Sequence, residues 1–221
     1  MNVKERLLDL LFPPKCPFCE QILEDPRAPL CPACQPALPW LTGKQAERKV
    51  DFADGCYAPL AYSKAVPEAF RRYKFGGVRA YGEAFSALMS QCAQDNLNEE
   101  IDLVVWAPLS RKRMRERGFD QTELLARKLG AKLGLPVEKV LEKTRHTQPQ
   151  SELTEESARR ANALGAYALL PGKNLTGKRI LLVDDVVTSG ATLSECARVL
   201  KLAGAERVWC VTFARAKADK T

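Results

Sequence analysis

The stretch ILLVDDVVTSGAT, Ile180 to Thr192, sets two acids directly ahead of a small hydroxylated loop. The apolar run Ile180 to Val183 reads as a buried strand, and a helix follows Gly190. Free backbone N–H groups at that helix start, with the hydroxyls of Thr188, Ser189 and Thr192, make a cradle for an anion. Gly190, followed by Ala191, lets the backbone approach a phosphate closely. Asp184 and Asp185 would repel that phosphate, so they need another target. Vicinal sugar hydroxyls supply one, because each can donate a hydrogen bond to a carboxylate. A ribose 5-phosphate group carries both features. Acidic pairs after a strand also hold magnesium, as in a Walker B strand beside a P-loop. The one near match to a P-loop, Gly172 to Lys178, has Arg179 where Ser or Thr belongs and precedes a strand, which excludes it.

Three other groups of residues could do chemistry. Cys16-Pro-Phe-Cys19 and Cys31-Pro-Ala-Cys34 form two CxxC pairs eleven residues apart. Four thiolates at this spacing can surround zinc as a closed structural site with no position left for water. The rival readings are a redox pair, which wants a single CxxC between strand and helix, and disulfides, which want an oxidising compartment. The segment APLSRKRMRERGFDQ carries Arg111, Lys112, Arg113, Arg115 and Arg117 against Glu116, and reads as a basic loop after a strand, suited to a second anion. The stretch AFRRYKFGGVRAYG interleaves Phe70, Tyr73, Phe75 and Tyr81 with Arg71, Arg72, Lys74 and Arg79. Rings on a basic track suit single-stranded nucleic acid. Alternatively, Phe70 and Tyr73 are helical core positions at i, i+3 with solvated charges around them. The remaining cysteines, Cys56, Cys92, Cys196 and Cys210, stand in apolar surroundings and read as buried spectators.

The elements that must position these groups alternate between strand and helix. Cys56 to Tyr62, Ile101 to Trp106, Ile180 to Val183 and Arg207 to Phe213 read as strands. Helices are expected over Val66 to Tyr73, opening at Pro67, and over Ala80 to Cys92. Another follows Asp120, which with Glu123 suggests a capping box and, through Phe119 and Leu124, a hydrophobic staple. Leu193, Cys196, Ala197 and Leu200 mark the buried side of a further helix that stops at Gly204. This alternation predicts an α/β fold, a mostly parallel sheet flanked by helices. The division expected is a zinc-binding module with a leading amphipathic helix over 1–45, and an α/β domain over 46–221. The polar stretch Lys143 to Leu153, with Arg145, His146, Gln148 and Gln150, is a candidate mobile loop over the site, and a helix is expected to open near Thr154.

The ILLVDDVVTSGAT segment resembles the phosphoribosyl pyrophosphate (PRPP) motif of type I phosphoribosyltransferases. With the paired CxxC knuckles, YSKAVPEAFRRYKFGGVRAYGEAF, RERGFDQTELLA and QSEL…RRANALGAY, the chain resembles the ComF family from about Leu7 to Ala214; Tyr167 stands where Phe would be expected. The resemblance implies that Asp184 and Asp185, the catalytic pair, hold the ribose hydroxyls and that Thr188 to Thr192 hold the 5-phosphate. It implies a pyrophosphate contact from Arg111, Lys112 and Arg113, helped by Mg²⁺. Displacement of pyrophosphate at the anomeric carbon would be the reaction, with the acceptor unspecified. The family also implies handling of incoming single-stranded DNA during natural transformation, with Arg71, Arg72 and Lys74 as nucleic-acid contacts and DNA-uptake or recombination proteins as partners. The alternative is an active phosphoribosyltransferase of nucleotide or related metabolism without a DNA role.

The bulk numbers bound these readings. A chain of 221 residues, 46% hydrophobic and 28% charged, is long enough for a core-bearing domain with an appendage. Its formal net charge of +7 favours acidic partners such as nucleic acid or phosphorylated substrates, or is a solvated basic surface. No apolar run reaches about 18 residues, so no membrane span is expected. The amino end carries Glu5 and Asp9 in its apolar region and makes a poor signal peptide, which points to the cytoplasm.

Overall fold

The computed structural model describes residues 13–144 and 161–216. Along the chain run β1 (Gly55–Tyr57), β2 (Leu60–Ala61), α1 (Val66–Phe75), α2 (Tyr81–Asn96), β3 (Leu103–Trp106), α3 (Arg111–Arg117), α4 (Gln121–Leu133), β4 (Leu141–Lys143), β5 (Tyr167–Leu169), β6 (Arg179–Val187), α5 (Ala191–Leu202) and β7 (Arg207–Arg215). The leading helix and the segment 145–160, with His146 and the expected helix opening near Thr154, lie outside the described residues.

The sheet is parallel, in the order β1-β7-β6-β3, with β2 also paired to β7. β4 and β5 form a separate antiparallel ribbon. The LVVW run of β3 is buried throughout, as a strand covered on both faces requires. Strand residues alternate between two cores. Leu181, Val183 and Phe213 face α1, α2 and α4, while Ile180, Leu182 and Cys210 face α5 and the β4–β5 ribbon. The first core is aromatic: Phe85 stacks on Phe213 with ring centroids 4.0 Å apart, and Phe70 and Tyr73 pack around them. Phe18, Leu23, Leu30 and Leu38 of the cysteine module belong to this same core. Cys56, Cys92, Cys196 and Cys210 are buried free thiols. No helix among the described residues is long and apolar enough to cross a membrane.

Several elements differ from the sequence expectation for physical reasons. The strand expected from Cys56 to Tyr62 is two short strands, because Pro59 has no N–H to continue the ladder. The basic loop after β3 is the helix α3, opened by Ser110, whose Oγ accepts from the Arg113 N–H at 3.4 Å, and closed by Gly118 in a left-handed conformation. Only half of the capping box forms at α4. Asp120 accepts from the N–H groups of Thr122 and Glu123, but Glu123 accepts from Arg127 instead of reaching back. β6 runs to Val187, four residues past its expected end, because β7 keeps pairing with it through Val187↔Arg215.

Candidate ribose-phosphate cleft

β6 outruns its neighbour β3. Pairing ends at Trp106↔Val183, and after the Ala107 N–H donates to the Val183 carbonyl the chain leaves through Pro108. Asp184 to Val187 therefore keep one open strand edge, and a cleft of about 800 Å³ lies along it. The cleft gathers Asp184, Asp185, Thr188, Ser189, Gly190, Ala191 and Thr192 with Arg113. Arg111 and Lys112, expected there too, do not line it; Arg117 does. A helix accounts for this, since Arg113 and Arg117 stand at i, i+4 on one face while Lys112, one position back, pairs with Glu116.

The two acids are unequal. The Asp185 Oδ2 accepts from Lys74 Nζ at 3.3 Å and from Gln121 Nε2 at 3.1 Å, and its Oδ1 accepts from the Val186 N–H at 2.6 Å. Burial alone would raise Asp185, but the Lys74 ammonium and these donors outweigh it and hold the carboxyl below its ordinary range. Asp184 accepts only from the Asp185 N–H, at 2.8 Å, among the described residues. Burial, and then the charge on Asp185, push it well above the ordinary range. The second charge of the pair is thus disfavoured, which would lessen the repulsion of any phosphate held nearby.

The candidate phosphate loop is built by the entry to α5. Gly190 sits at φ 81, a conformation L side chains avoid, and a Cβ there would meet Val50 at 3.1 Å. The first N–H groups of α5 have no carbonyl one turn back and face an anion's side of the helix dipole. Opposite stands Lys143, the last residue of β4. Its Nζ donates to the Tyr167 hydroxyl at 3.1 Å and lies 4.9 Å from that ring's centroid. Burial, then Arg113, bring Lys143 down to about 8.

Gln121, Lys143 and Tyr167 were not singled out as site residues by sequence reasoning. Lys143 stood only at the head of the candidate mobile loop, and Gln121 only inside the RGFDQ element. Of the residues assigned to nucleic acid, Lys74 is on Asp185, and Arg72 is turned inward. Arg72 Nη2 donates to the Pro17 and Phe18 carbonyls at 2.8 and 3.4 Å, and its Nη1 pairs with Glu68 and Glu20. Arg71 pairs with Glu68 at 2.8 Å while remaining 63% exposed. Phe70, Tyr73 and Tyr81 are core residues, so the core reading of those rings holds; Phe75 alone of the four is exposed.

In the amino-terminal module the Sγ atoms of Cys16, Cys19, Cys31 and Cys34 all lie within 4.8 Å of one another. A tetrahedron with Zn–S bonds of about 2.3 Å has edges of about 3.8 Å, so the cluster fits zinc with little adjustment. Burial would raise the Cys31 thiol, but the Cys34 backbone N–H and the neighbouring thiols bring it down to about 7. With four thiol donors and no open position, zinc here is structural.

The chain matches the phosphoribosyl transferase domain family over residues 84–221 and the double zinc ribbon domain over residues 7–48. Competence protein ComFC of Streptococcus pneumoniae is 30% identical over 161 residues, 72% of this chain and 67% of that protein. Competence protein F of Haemophilus influenzae is 33% identical over 117 residues, 52% of this chain. The match spans about half the length of that relative, 51%. DNA utilization protein YhgH of Salmonella typhimurium is 29% identical over 204 residues, 89% of this chain and 82% of that protein. Among solved structures, the glutamine PRPP amidotransferase of B. subtilis aligns at a TM-score of 0.44 and 20% identity, covering 64% of this chain and 30% of its own.

Proposed function

Because the chain belongs to the phosphoribosyl transferase domain family, and within it to the ComF family with its amino-terminal zinc ribbon, we propose that the cleft binds PRPP or a similar ribose phosphate. The observation that carries this reading is the meeting, in one cleft, of an acidic pair and a helix amino terminus from a single strand-to-helix turn. The 5-phosphate sits on Thr188 to Thr192. Asp184, with an oxygen to spare, takes a ribose hydroxyl, and Asp185 takes one when Lys74 gives way. Arg113, rather than Arg111 or Lys112, meets the pyrophosphate from the described position of α3. The acidic pair offers few free oxygens, so Mg²⁺ enters with the ligand, held chiefly by phosphate oxygens and water, as is usual for this ion.

The relatives' names, competence protein and DNA utilization protein, and the net charge of +7 support a cytoplasmic role with single-stranded DNA. Arg71 is the exposed member of the basic trio and the first to test; Arg72 and Lys74 reach DNA only by leaving their partners. The burial of Phe70, Tyr73 and Tyr81 favours the second reading, an active phosphoribosyltransferase without a DNA role.

Calorimetry with PRPP and Mg²⁺ tests the first proposal. Wild type is expected to bind in the micromolar range, and the Asp184→Asn/Asp185→Asn double variant to lose at least tenfold, roughly one charge-assisted hydrogen bond's worth. Absence of binding to wild type would sink the ribose-phosphate reading. A gel shift with single-stranded DNA that is indifferent to salt and to Arg71→Ala would sink the DNA role.

A further inference from the structure

The cleft holds an amine that ribose-phosphate binding engages only as a charge. Lys143 lines it together with Tyr167, Asp184 and the Thr188–Thr192 loop, and is half-buried there. Among the described residues its Nζ enters no ion pair, and its one hydrogen bond runs to the Tyr167 hydroxyl at 3.1 Å. Arg113 of α3, Asp184 of β6 and Cys196 of α5 also face it. Burial, then Arg113, disfavour the ammonium form. Tyr167 links this amine to the loop. Its oxygen accepts from Lys143, and its hydroxyl meets that of Thr192. Burial keeps the phenol protonated. Two hydrogen bonds end to end put the Thr192 hydroxyl within about 6 Å of Nζ. The resemblance leads one to expect Phe at position 167, so this hydroxyl belongs to the chain rather than to the pattern it resembles.

A partly desolvated lysine without a counter-ion is suited to attack a carbonyl. The loop beside it would concentrate carbonyl compounds that carry a phosphate. In a short aldehyde phosphate, two carbons and an ester oxygen join the carbonyl carbon to phosphorus. Four single bonds of about 1.5 Å each span most of the distance from the loop to the amine. Phosphate on the loop then holds the aldehyde against Nζ, which turns a collision in solution into a reaction within one complex.

We propose that Lys143 is a covalent capture site for short aldehyde phosphates, which are held by their phosphate on the Thr188–Thr192 loop and assisted by the Tyr167 hydroxyl. The Nζ lone pair attacks the carbonyl carbon, a C–N bond forms, and one amine proton passes to the carbonyl oxygen. The resulting C–OH bond then breaks as Tyr167 donates a proton to the oxygen, which leaves as water. The second amine proton returns to the phenol, and an imine remains. The imine fills the cleft until water reverses it, so the cleft responds to aldehyde phosphates as well as to its own ligand.

The capture rests on the ribose-phosphate reading for its phosphate seat. The full chain is incubated with glyceraldehyde 3-phosphate or with glyceraldehyde, imines are fixed with cyanoborohydride, and labelled lysines are mapped by mass spectrometry. A bound phosphate favours the ammonium, so the reaction is run at about pH 9, where surface lysines titrating near 10.4 still hold their protons. The readout is the labelling of Lys143 relative to the other lysines, which cancels the intrinsic reactivity of each aldehyde. This ratio is expected to be at least about tenfold higher with the phosphate than with glyceraldehyde, and to collapse when inorganic phosphate competes. Tyr167→Phe, checked for folding by circular dichroism, should lower it about tenfold. A ratio equal for the two aldehydes, or untouched by inorganic phosphate, overturns the capture site. An unchanged ratio in Tyr167→Phe overturns the part given to Tyr167. PRPP binding by calorimetry without labelling of Lys143 overturns the capture and leaves the ribose-phosphate reading standing. Phosphate-dependent labelling in a protein that binds no PRPP does the reverse.

Discussion

Asp184 and Asp185 look equivalent in the sequence and act differently in the fold. Asp185 anchors Lys74 and Gln121, so Asp185→Asn should cost about 1–3 kcal/mol in urea unfolding, the usual loss for hydrogen bonds to a charged group. Asp184 carries a raised folded pKa, so its ionisation above the unfolded pKa is a penalty. Asp184→Asn should therefore leave stability unchanged or higher while weakening PRPP binding, and equal destabilisation by the two variants would refute the asymmetry. Lys143 gives a pH test. An unfolded lysine titrates near 10.4, while the folded one titrates at about 8. Between these values the native state has lost a proton that the unfolded state keeps, so stability rises across the window and the buried charge is a full penalty below it. A bound anion reverses the preference. PRPP should take up as much as one proton on binding above about pH 8, and its affinity should fall by up to about tenfold per pH unit there. Calorimetry in two buffers of different ionisation heat measures the uptake; none would remove Lys143 from the anion site. That the Thr188–Thr192 loop and the acids share one cleft is legible because they are contiguous. Lys74 and Gln121 were not, because they meet Asp185 across 111 and 64 residues, and no local pattern encodes such a pairing.

At the scale of elements, α1 is a strut between the cysteine module and the cleft. Arg72 holds the carbonyls of the first cysteine knuckle, and two residues on, Lys74 holds Asp185. The sequence disclosed the helix, through Pro67 and its apolar spacing, but not that its charges point inward rather than to solvent. Arg72→Met keeps the aliphatic stem and removes the grip on the Pro17 carbonyl. The ribbon should then release zinc to a chelator about tenfold faster, as expected for the loss of about 1.4 kcal/mol of local stability, and an unchanged release rate would show the strut to be idle. The basic segment after β3 departs from its expected loop for a related reason. Five cations in seven residues suggest a solvated loop, yet Ser110 and Gly118 supply a start and a stop, and those caps make a short helix that turns Arg113 and Arg117 to the same side.

For the molecule as a whole, the cysteine module and the α/β domain are distinct in sequence but share one core. The CxxC spacing makes zinc legible, and the alternation of apolar runs makes the parallel sheet legible. Neither reveals that Phe18, Leu23, Leu30 and Leu38 pack among Phe70, Phe85 and Phe213, since burial between distant segments leaves no periodic mark. Metal binding and the stability of the sheet's first face should then be linked. Exposing parts of four apolar side chains at about 1.5–3 kcal/mol for each full exposure suggests a loss of about 3–5 kcal/mol, or about 10 °C in Tm for a protein of this size. Stripping zinc with a chelator should produce that drop. Hydrogen exchange should rise first in residues 16–41 and α1, while the β6–β7 pairing, covered by α5 on the opposite face, keeps its protection longest. A stripped protein that melts where the loaded one does would mean that the ribbon rests on the domain without supporting it. A drop confined to the ribbon's own amides would mean that α1 holds Lys74 against Asp185 without help from the metal.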